Sequence, residues 1–420
     1  MIGTFTRSVL CFCAAVVLLA LLLCAGEVGC RVWRLTTAWR GGVTPFSEDD
    51  LTVPSAKSWV DVHPLLDVHH LSPDGEYVRI RTNEWGLRGS MVDVPKPRGT
   101  FRILCLGGDN LFASDLGEEQ TLPMALQRYL AQHTALQVEV LNGGCPHAGP
   151  LTQLLRYKTH LSALQPDLVL LCLSIDDLQH DLDVRGALRL DHQRQPAFAA
   201  HPGALLPGFH LADAACREFV CLTWMKHWAL QVVGTGARRG SQRTLEEGYG
   251  RRELGSIVSL AQIVSANYSN LIITTTPSTN GIDQVRSAMS QQRATFSDDL
   301  QRLLSEFKIT DKVQVHNALG AISRLNQTQG YFSVRSGHLN SDGNDRYAQS
   351  LAKFLLEAVP DLTQVASPSG PAASPLVPVI GSQTPSSLER SLEILRQEES
   401  PLFPTSPAGF PSASNSDGPF

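Results

Sequence analysis

Five short, largely apolar runs constrain this chain more than any other feature of its sequence. They are FRILCL (Phe101–Leu106), VEVL (Val138–Leu141), LVLLCL (Leu168–Leu173), LIITT (Leu271–Thr275) and VQVH (Val313–His316). Each has the length and the near-continuous apolar character of a strand buried on both faces. Segments with helical periodicity lie between several of them. In Leu122–Leu130 the residues Leu122, Leu126, Tyr129 and Leu130 share one face, with Thr121 as cap and Pro123 in the first turn. Gln291–Phe307 and Asp342–Leu356 repeat the pattern. Buried strands alternating with helices predict an α/β fold, three layers with a parallel sheet in the middle. Ligands of such sheets bind beyond the carboxyl ends of the strands, so the residues after each strand are the candidates for chemistry.

The two ends of the chain differ from this middle. Ser8–Gly26 carries no charge and is dominated by Val, Leu, Ala and Cys. At about 1.5 Å per residue, nineteen helical residues reach ~28 Å, enough to cross a bilayer core. The sequence CAGEVG after it is a weak cleavage site, so a retained single-pass anchor is preferred to a secretory signal. Arg7 precedes the span and Arg31, Arg34 and Arg40 lie beyond it, a distribution that does not favour export of the downstream domain. From Thr363 to Phe420 stand ten of the chain's 25 prolines among many Ser, Ala and Gly, a composition that cannot bury enough apolar surface to order itself. The exception is SSLERSLEILRQEE (Ser386–Glu399), a short helix with a Ser386/Glu389 capping box and Leu388, Leu392 and Leu395 on one face. It is either a docking helix for a protein partner or a marginal helix in a linker. The expected organisation is an anchor and flank over 1–40, a pre-domain segment over 41–99, the α/β domain over 100–360 and a disordered tail over 361–420. Residues 185–252 are a candidate insertion or lid.

Charge and cysteine content exclude several classes. The net charge of −5 offers no basic field for nucleic acid. The nine cysteines form no framework. Cys105, Cys145 and Cys172 lie in or beside apolar segments as small hydrophobes, and Cys216 with Cys221 is the one candidate pair. No cofactor and no metal are expected.

The strand exits are Gly107-Gly108-Asp109-Asn110, Asn142-Gly143-Gly144-Cys145-Pro146 and Ser174-Ile175-Asp176-Asp177, and Ser336-Gly337-His338-Leu339-Asn340 precedes the last helical segment. With these turns in place, the chain resembles the SGNH/GDSL hydrolase superfamily, specifically its membrane-anchored bacterial branch, over roughly Tyr77 to Leu356. RTNEWGLRG (Arg81–Gly89) is similar to the segment that precedes the domain in that branch. FRILCLGGDNLFASDLGEEQTLPMALQRYL, EVLNGGCPHAGP, QPDLVLLCLSIDDL and GHLNSDGNDRYAQSLAKFL match its successive blocks in order.

The resemblance implies a flavodoxin-like sheet and ester hydrolysis or acyl transfer. A Ser attacks, a His takes its proton, an Asp three residues before that His orients it, and the Ser N–H, a Gly N–H and an Asn side chain hold the oxyanion. Carried over, the nucleophile position falls on Asp109, and a one-residue shift places Asn110 there; neither supplies a hydroxyl. Gly144 occupies the oxyanion glycine position. Asp176 replaces the oxyanion Asn, exchanging a donor for a group that only accepts when ionised. His338 stands at the base position, and Arg335 replaces the triad Asp. The site is thus expected to be degenerate, a salt-bridged pocket in which Asp109 and Asp176 face Arg335 and His338. The implied role is binding of an acylated carbohydrate, lipid or other envelope component by a domain outside the cell membrane. Two alternatives stand beside it: an active esterase or O-acyltransferase with an Asp109/His338 site, and a non-catalytic scaffold recruiting a partner through the tail helix.

Other residues carry weaker signals. Asp176, Asp177, His180, Asp181 and Asp183 form an acidic run that fits a hard-cation loop or, more commonly, a solvated loop, with Asp177 keeping a structural role. His63, His69 and His70 read as surface or packing residues, and Ser114 and Ser174 lie near the site without occupying an attacking position. Asn267 and Asn326 begin glycosylation sequons by pattern alone.

Overall fold

The computed structural model of the 420-residue chain describes residues 2–39, 51–72, 77–193, 195–205, 251–267, 269–291, 295–307, 313–323, 329–334 and 336–363. The first helix, α1 (Ile2–Trp39), contains a 20-residue stretch, Ala14–Trp33, long and apolar enough to cross a membrane, as an anchor or a signal sequence is. It overlaps the expected 8–26 span and runs past it. Near its end Glu27 accepts a 2.6 Å bond from Arg31 one turn later, so the two charges are paired.

Four short strands come next in two antiparallel hairpins: β1 (Thr52–Ser55) with β2 (Trp59–Val62), and β3 (Asp67–Leu71) with β4 (Tyr77–Arg81). The central sheet comprises β5 (Thr100–Gly107), β6 (Gln137–Gly144), β7 (Leu168–Leu173), β10 (Asn270–Thr275) and β11 (Val313–His316), all parallel, in the order β11-β10-β7-β5-β6. All five apolar runs are therefore strands. A third hairpin, β8 (Leu188–Leu190) with β9 (Pro196–Ala199), lies outside this sheet. Every residue of β5 and β7 is buried, which requires cover on both faces. The covering helices are α3 (Leu122–His133), which packs against α10 (Ser341–Ala358), and α4 (Pro150–Thr159), which packs against α5 (Asp177–Ala187) and α6 (Arg251–Ala266). The four-residue α2 (Asp109–Phe112) comes directly after β5; α7 (Thr279–Ser290), α8 (Phe296–Glu306) and α9 (Ala318–Ser323) complete the described helices.

Numbered along the chain, the sheet runs 2-1-3-4-5, the flavodoxin-like order. The direction of winding reverses between β5 and β7, and ligands of doubly wound sheets bind at such a switch point. The residues leaving β5 and β7 are those around Asp109 and Asp176.

The pre-domain segment closes over this end of the sheet. Leu51, Val62, Leu66, Val78 and Ile80 form a cluster with Phe112, Cys145 and Ala148 from the loops after β5 and β6. Two buried arginines fasten the arrangement. Arg88, in the RTNEWGLRG segment, donates to the carbonyls of Phe112, Ala113 and Leu116, and its burial pulls its pKa down to about 10. Arg156 on α4, with no exposed surface, donates to Asp61 (2.9 Å), to the Gly143 carbonyl (2.6 Å) and to Gln153 (3.1 Å). Asn83 Oδ1 accepts the N–H groups of Trp85 and Leu87 at 3.0 Å, closing the turn that delivers Arg88.

The helical period expected over Gln291–Phe307 is realised by α8, which starts only at Phe296; α7 ends at Ser290, before that range. Thr295 accepts from the Asp298 N–H and Asp298 bonds back to Thr295, a capping box that restarts the helix. Of residues 185–252, the first part forms the end of α5 and the β8–β9 hairpin; Trp224, Trp228, Cys216 and Cys221 lie outside the described residues, as do Asn326 and the tail helix over 386–399.

Candidate functional site

At the end of β5 the chain turns through Gly107 and Gly108 into α2, whose first residue is Asp109. Behind it lies Asp177, fully buried at the start of α5, accepting the Ser174 N–H at 3.1 Å and the Gly108 N–H. A Cβ on Gly108 would lie 2.2 Å from Asp177 Oδ1, so only glycine fits between strand and carboxylate. Burial, and Asp109 next to it, push the Asp177 carboxyl well above the usual carboxylate range. One turn on, Asp181 accepts the Leu151 N–H at 2.9 Å and so caps α4, one of the orphan donors at a helix start. Burial pushes Asp181 up to about 7 against the opposing pull of the Leu151 and Thr152 N–H groups and Arg185. The acidic run is therefore not a solvated loop. From Asp177 on it is the first part of a helix, and the carboxylates of Asp177 and Asp181 point into the protein, where they accept backbone N–H groups.

His180 shares that helical face, and its Nε2 lies 3.6 Å from Asp109 Oδ2. From the other side His147, in the loop after β6, donates its backbone N–H to Asp109 Oδ1 at 3.1 Å and sets its Nδ1 3.8 Å from the same oxygen. His147 holds φ 58°, the left-handed region that a β-substituted residue adopts only when its surroundings enforce it. The two imidazoles meet edge to face, ring centres 5.4 Å apart. Burial works to raise the Asp109 pKa; the adjoining His180 and His147 side chains and the His147 N–H overcome it and hold the carboxyl below its usual value. The ligand atoms of Asp109, His147 and His180 all lie within 4.8 Å of one another, a set able to hold a metal ion.

Two other positions that the resemblance singles out, Gly144 and Asp176, have partners of their own. Gly144 occupies its expected place, with β6 pairing it to Gly107, and a Cβ there would sit 2.5 Å from the Phe112 nitrogen. Its N–H, the expected oxyanion donor, is taken by the Asn142 side chain at 3.0 Å. Asp176 accepts from Ser278 Oγ at 2.8 Å and Asn280 Nδ2 at 2.9 Å, both at the start of α7. Asn110, buried, points its amide toward Ser174 at 3.5 Å. His338 is half-buried, in a loop stitched to α7 by the Thr279 N–H to Gly337 carbonyl bond; among the described residues its imidazole has no hydrogen-bond partner. Arg335 lies outside the described residues.

Among the described residues, Asp109 and Asp176 have separate sets of partners, and with Arg335 outside them the expected cluster with Arg335 and His338 is left open. Asp109 turns to His147 and His180 because the β6 and α5 loops reach it first. Asp176 turns to the hydroxyl and amide at the α7 N-terminus. The sequence does not single out His147, and it presents His180 only as part of a charged run. The spacing of Asp177, His180 and Asp181, three and four apart as on one helical face, is the signal that identifies the latter.

No protein-family model matches the chain, and no curated protein does. Solved structures do. The chain is similar to a GDSL-like lipase from Bacteroides thetaiotaomicron (12% identity over 62% of this chain and 89% of that one, TM-score 0.30). It is also similar to the lipase/acylhydrolase from Enterococcus faecalis (11%, 60% and 94%, TM-score 0.35) and to the Clostridium thermocellum family 3 carbohydrate esterase (13%, 63% and 100%, TM-score 0.35).

Proposed function

We propose that this is a membrane-anchored SGNH/GDSL-hydrolase-like protein whose ester-hydrolysis site is degenerate and whose crevice binds an acylated carbohydrate or another acylated envelope component outside the cell membrane. What supports the reading is the carboxylate of Asp109 at the exit of β5, where the resemblance puts the attacking Ser. An ionised carboxylate beside a developing oxyanion repels it, and the loss of one oxyanion donor alone costs about 10²–10³ in rate. The N–H of Gly144, bonded to Asn142, and Asp176, bonded to Ser278 and Asn280, leave little with which to hold that charge. The apolar stretch of α1 supports the anchor.

The test is hydrolysis of short-chain aryl esters and acetylated sugars by the full chain in detergent, beside the His338→Ala variant, with calorimetric binding of the same acetylated sugars. Binding without turnover supports the reading. Turnover that disappears in His338→Ala overturns it in favour of an active enzyme using Asp109 and His338, and an absence of binding removes the acyl ligand.

A further inference from the structure

Asp109, His147 and His180 come from three separate elements, the exits of β5 and β6 and the second turn of α5, and converge at the switch point of the sheet. Their separations are informative. At 3.6 and 3.8 Å the imidazole nitrogens lie too far from the Asp109 oxygens for hydrogen bonds. Four ligands held tetrahedrally at about 2.0–2.2 Å from one ion are separated from each other by roughly 3.3–3.6 Å. The two imidazoles approach different oxygens of Asp109, and one ligand atom from each of the three residues lies within 4.8 Å of the others, so a small inward turn of the side chains reaches that spacing.

We propose that Asp109, His147 and His180 form a binding site for one zinc-class divalent transition-metal ion, with Asp109 oxygen, His147 Nδ1 and His180 Nε2 as the protein ligands. Two imidazoles and one carboxylate suit zinc and its neighbours; Mg²⁺ and Ca²⁺ call for oxygen donors, and there is no thiolate here to select Cu(I). Asp109 is oriented before any ion arrives, because the His147 backbone N–H holds Oδ1 at 3.1 Å. Its side chain is 14% exposed, and those of His147 and His180 are 40% and 32% exposed. The ion therefore enters from solvent, and its remaining position stays open to water or to an oxygen of a bound ligand, as in zinc sites with three protein ligands. The same substitution that removes the nucleophile supplies the carboxylate. This inference goes beyond the acyl-binding reading and does not rest on it.

The experiment uses the untagged full chain in detergent, treated with chelator and dialysed, then titrated with Co²⁺, whose visible absorption reports coordination, and by calorimetry with Zn²⁺. The expected result is one equivalent bound, with a Co²⁺ spectrum of low-symmetry four-coordination displaced by Zn²⁺. Asp109→Asn, His180→Ala and His147→Asn, the last chosen because Asn tolerates the left-handed backbone, should each weaken Zn²⁺ binding at least about tenfold. Zn²⁺ should raise the thermal midpoint of the parent chain and of His192→Ala, a histidine outside the cluster, but not of the three variants. A parent chain that binds no stoichiometric Zn²⁺, or a His147→Asn/His180→Ala variant that binds it as tightly as the parent, overturns the assignment.

Discussion

Replacing Arg156 by Met should loosen the attachment of the pre-domain hairpins to the sheet, by an amount set by its partners. The guanidinium has no exposed surface and makes bonds to Asp61, Gly143 and Gln153. Methionine fills much of the volume but supplies no donor. Asp61 then loses its guanidinium partner; its side chain is 21% exposed, and the nearby His160, at 3.5 Å, is held toward its neutral form by burial. Removing one partner of a buried pair costs about 3–5 kcal/mol, and the partial exposure of Asp61 places this case at about 3. The stranded Gly143 carbonyl adds about 1 kcal/mol. A loss of about 3–4 kcal/mol corresponds to a fall in Tm of roughly 6–16 °C for a domain of this size. The assay is thermal and urea unfolding of the full chain in detergent, with Asp61→Leu and the double variant completing a cycle. The double variant should recover about 2 kcal/mol relative to the sum of the singles, because no charge is left unpaired. A single variant within about 1 kcal/mol of the parent, or strict additivity in the cycle, would show that the arginine is a passenger and that the hairpins are held by apolar contact alone.

Four further outcomes are expected from the same structure. Gly108→Ala forces a methyl onto the Asp177 carboxylate and should cost at least about 1–3 kcal/mol, read by urea unfolding; a neutral result would mean that Asp177 moves aside freely. Asp181, raised to about 7, leaves the native state holding the extra proton between the unfolded and folded pKa values, so its contribution to stability declines as pH rises from about 4 to about 7. Asp181→Asn should flatten that slope, measured by unfolding at a series of pH values, while Asp109, whose pKa is lowered, loses its contribution only as pH falls below about 4. Burial pushes the Cys145 thiol up to about 12 and lifts Cys172 well above its ordinary value, so neither should be alkylated by iodoacetamide in the native chain and both should be once it is unfolded in urea, as read by peptide mass spectrometry. Deleting residues 1–39 should move the protein from the membrane pellet to the supernatant after carbonate washing; retention in the pellet would assign membrane association to another part of the chain.

The strands of the central sheet are legible in the sequence because burial on both faces leaves a continuous apolar signal that no neighbour has to interpret. The pre-domain hairpins are not. Of TVPS and WVDV only Thr52 and Val62 are buried, so neither alternation nor a continuous run marks them. Helix α4 is hidden differently. Gln153 and Arg156 sit on its buried side, where polar residues blur the apolar stripe, yet each bonds a strand carbonyl, Gly107 or Gly143. The candidate site divides in the same way. Asp109, Gly144 and Asp176 can be placed because each comes after a recognisable strand or block. The partners of their side chains cannot, since His147 is 38 residues from Asp109 and Ser278 is 102 from Asp176.

The bonds of Asp176 also decide how the α7 N-terminus would respond to the loss of its charge. Asn280 and Ser278 present an amide and a hydroxyl to its two oxygens. An asparagine at 176 would turn one of those oxygens into an NH₂ group; set toward Ser278, whose hydroxyl accepts as well as donates, it keeps both contacts, with its oxygen toward Asn280. In hydrogen bonds the pocket wall is thus neutral to that exchange, and what changes is charge: an anion beside the first N–H groups of α7 is favoured by the helix dipole, and a neutral amide forgoes that attraction.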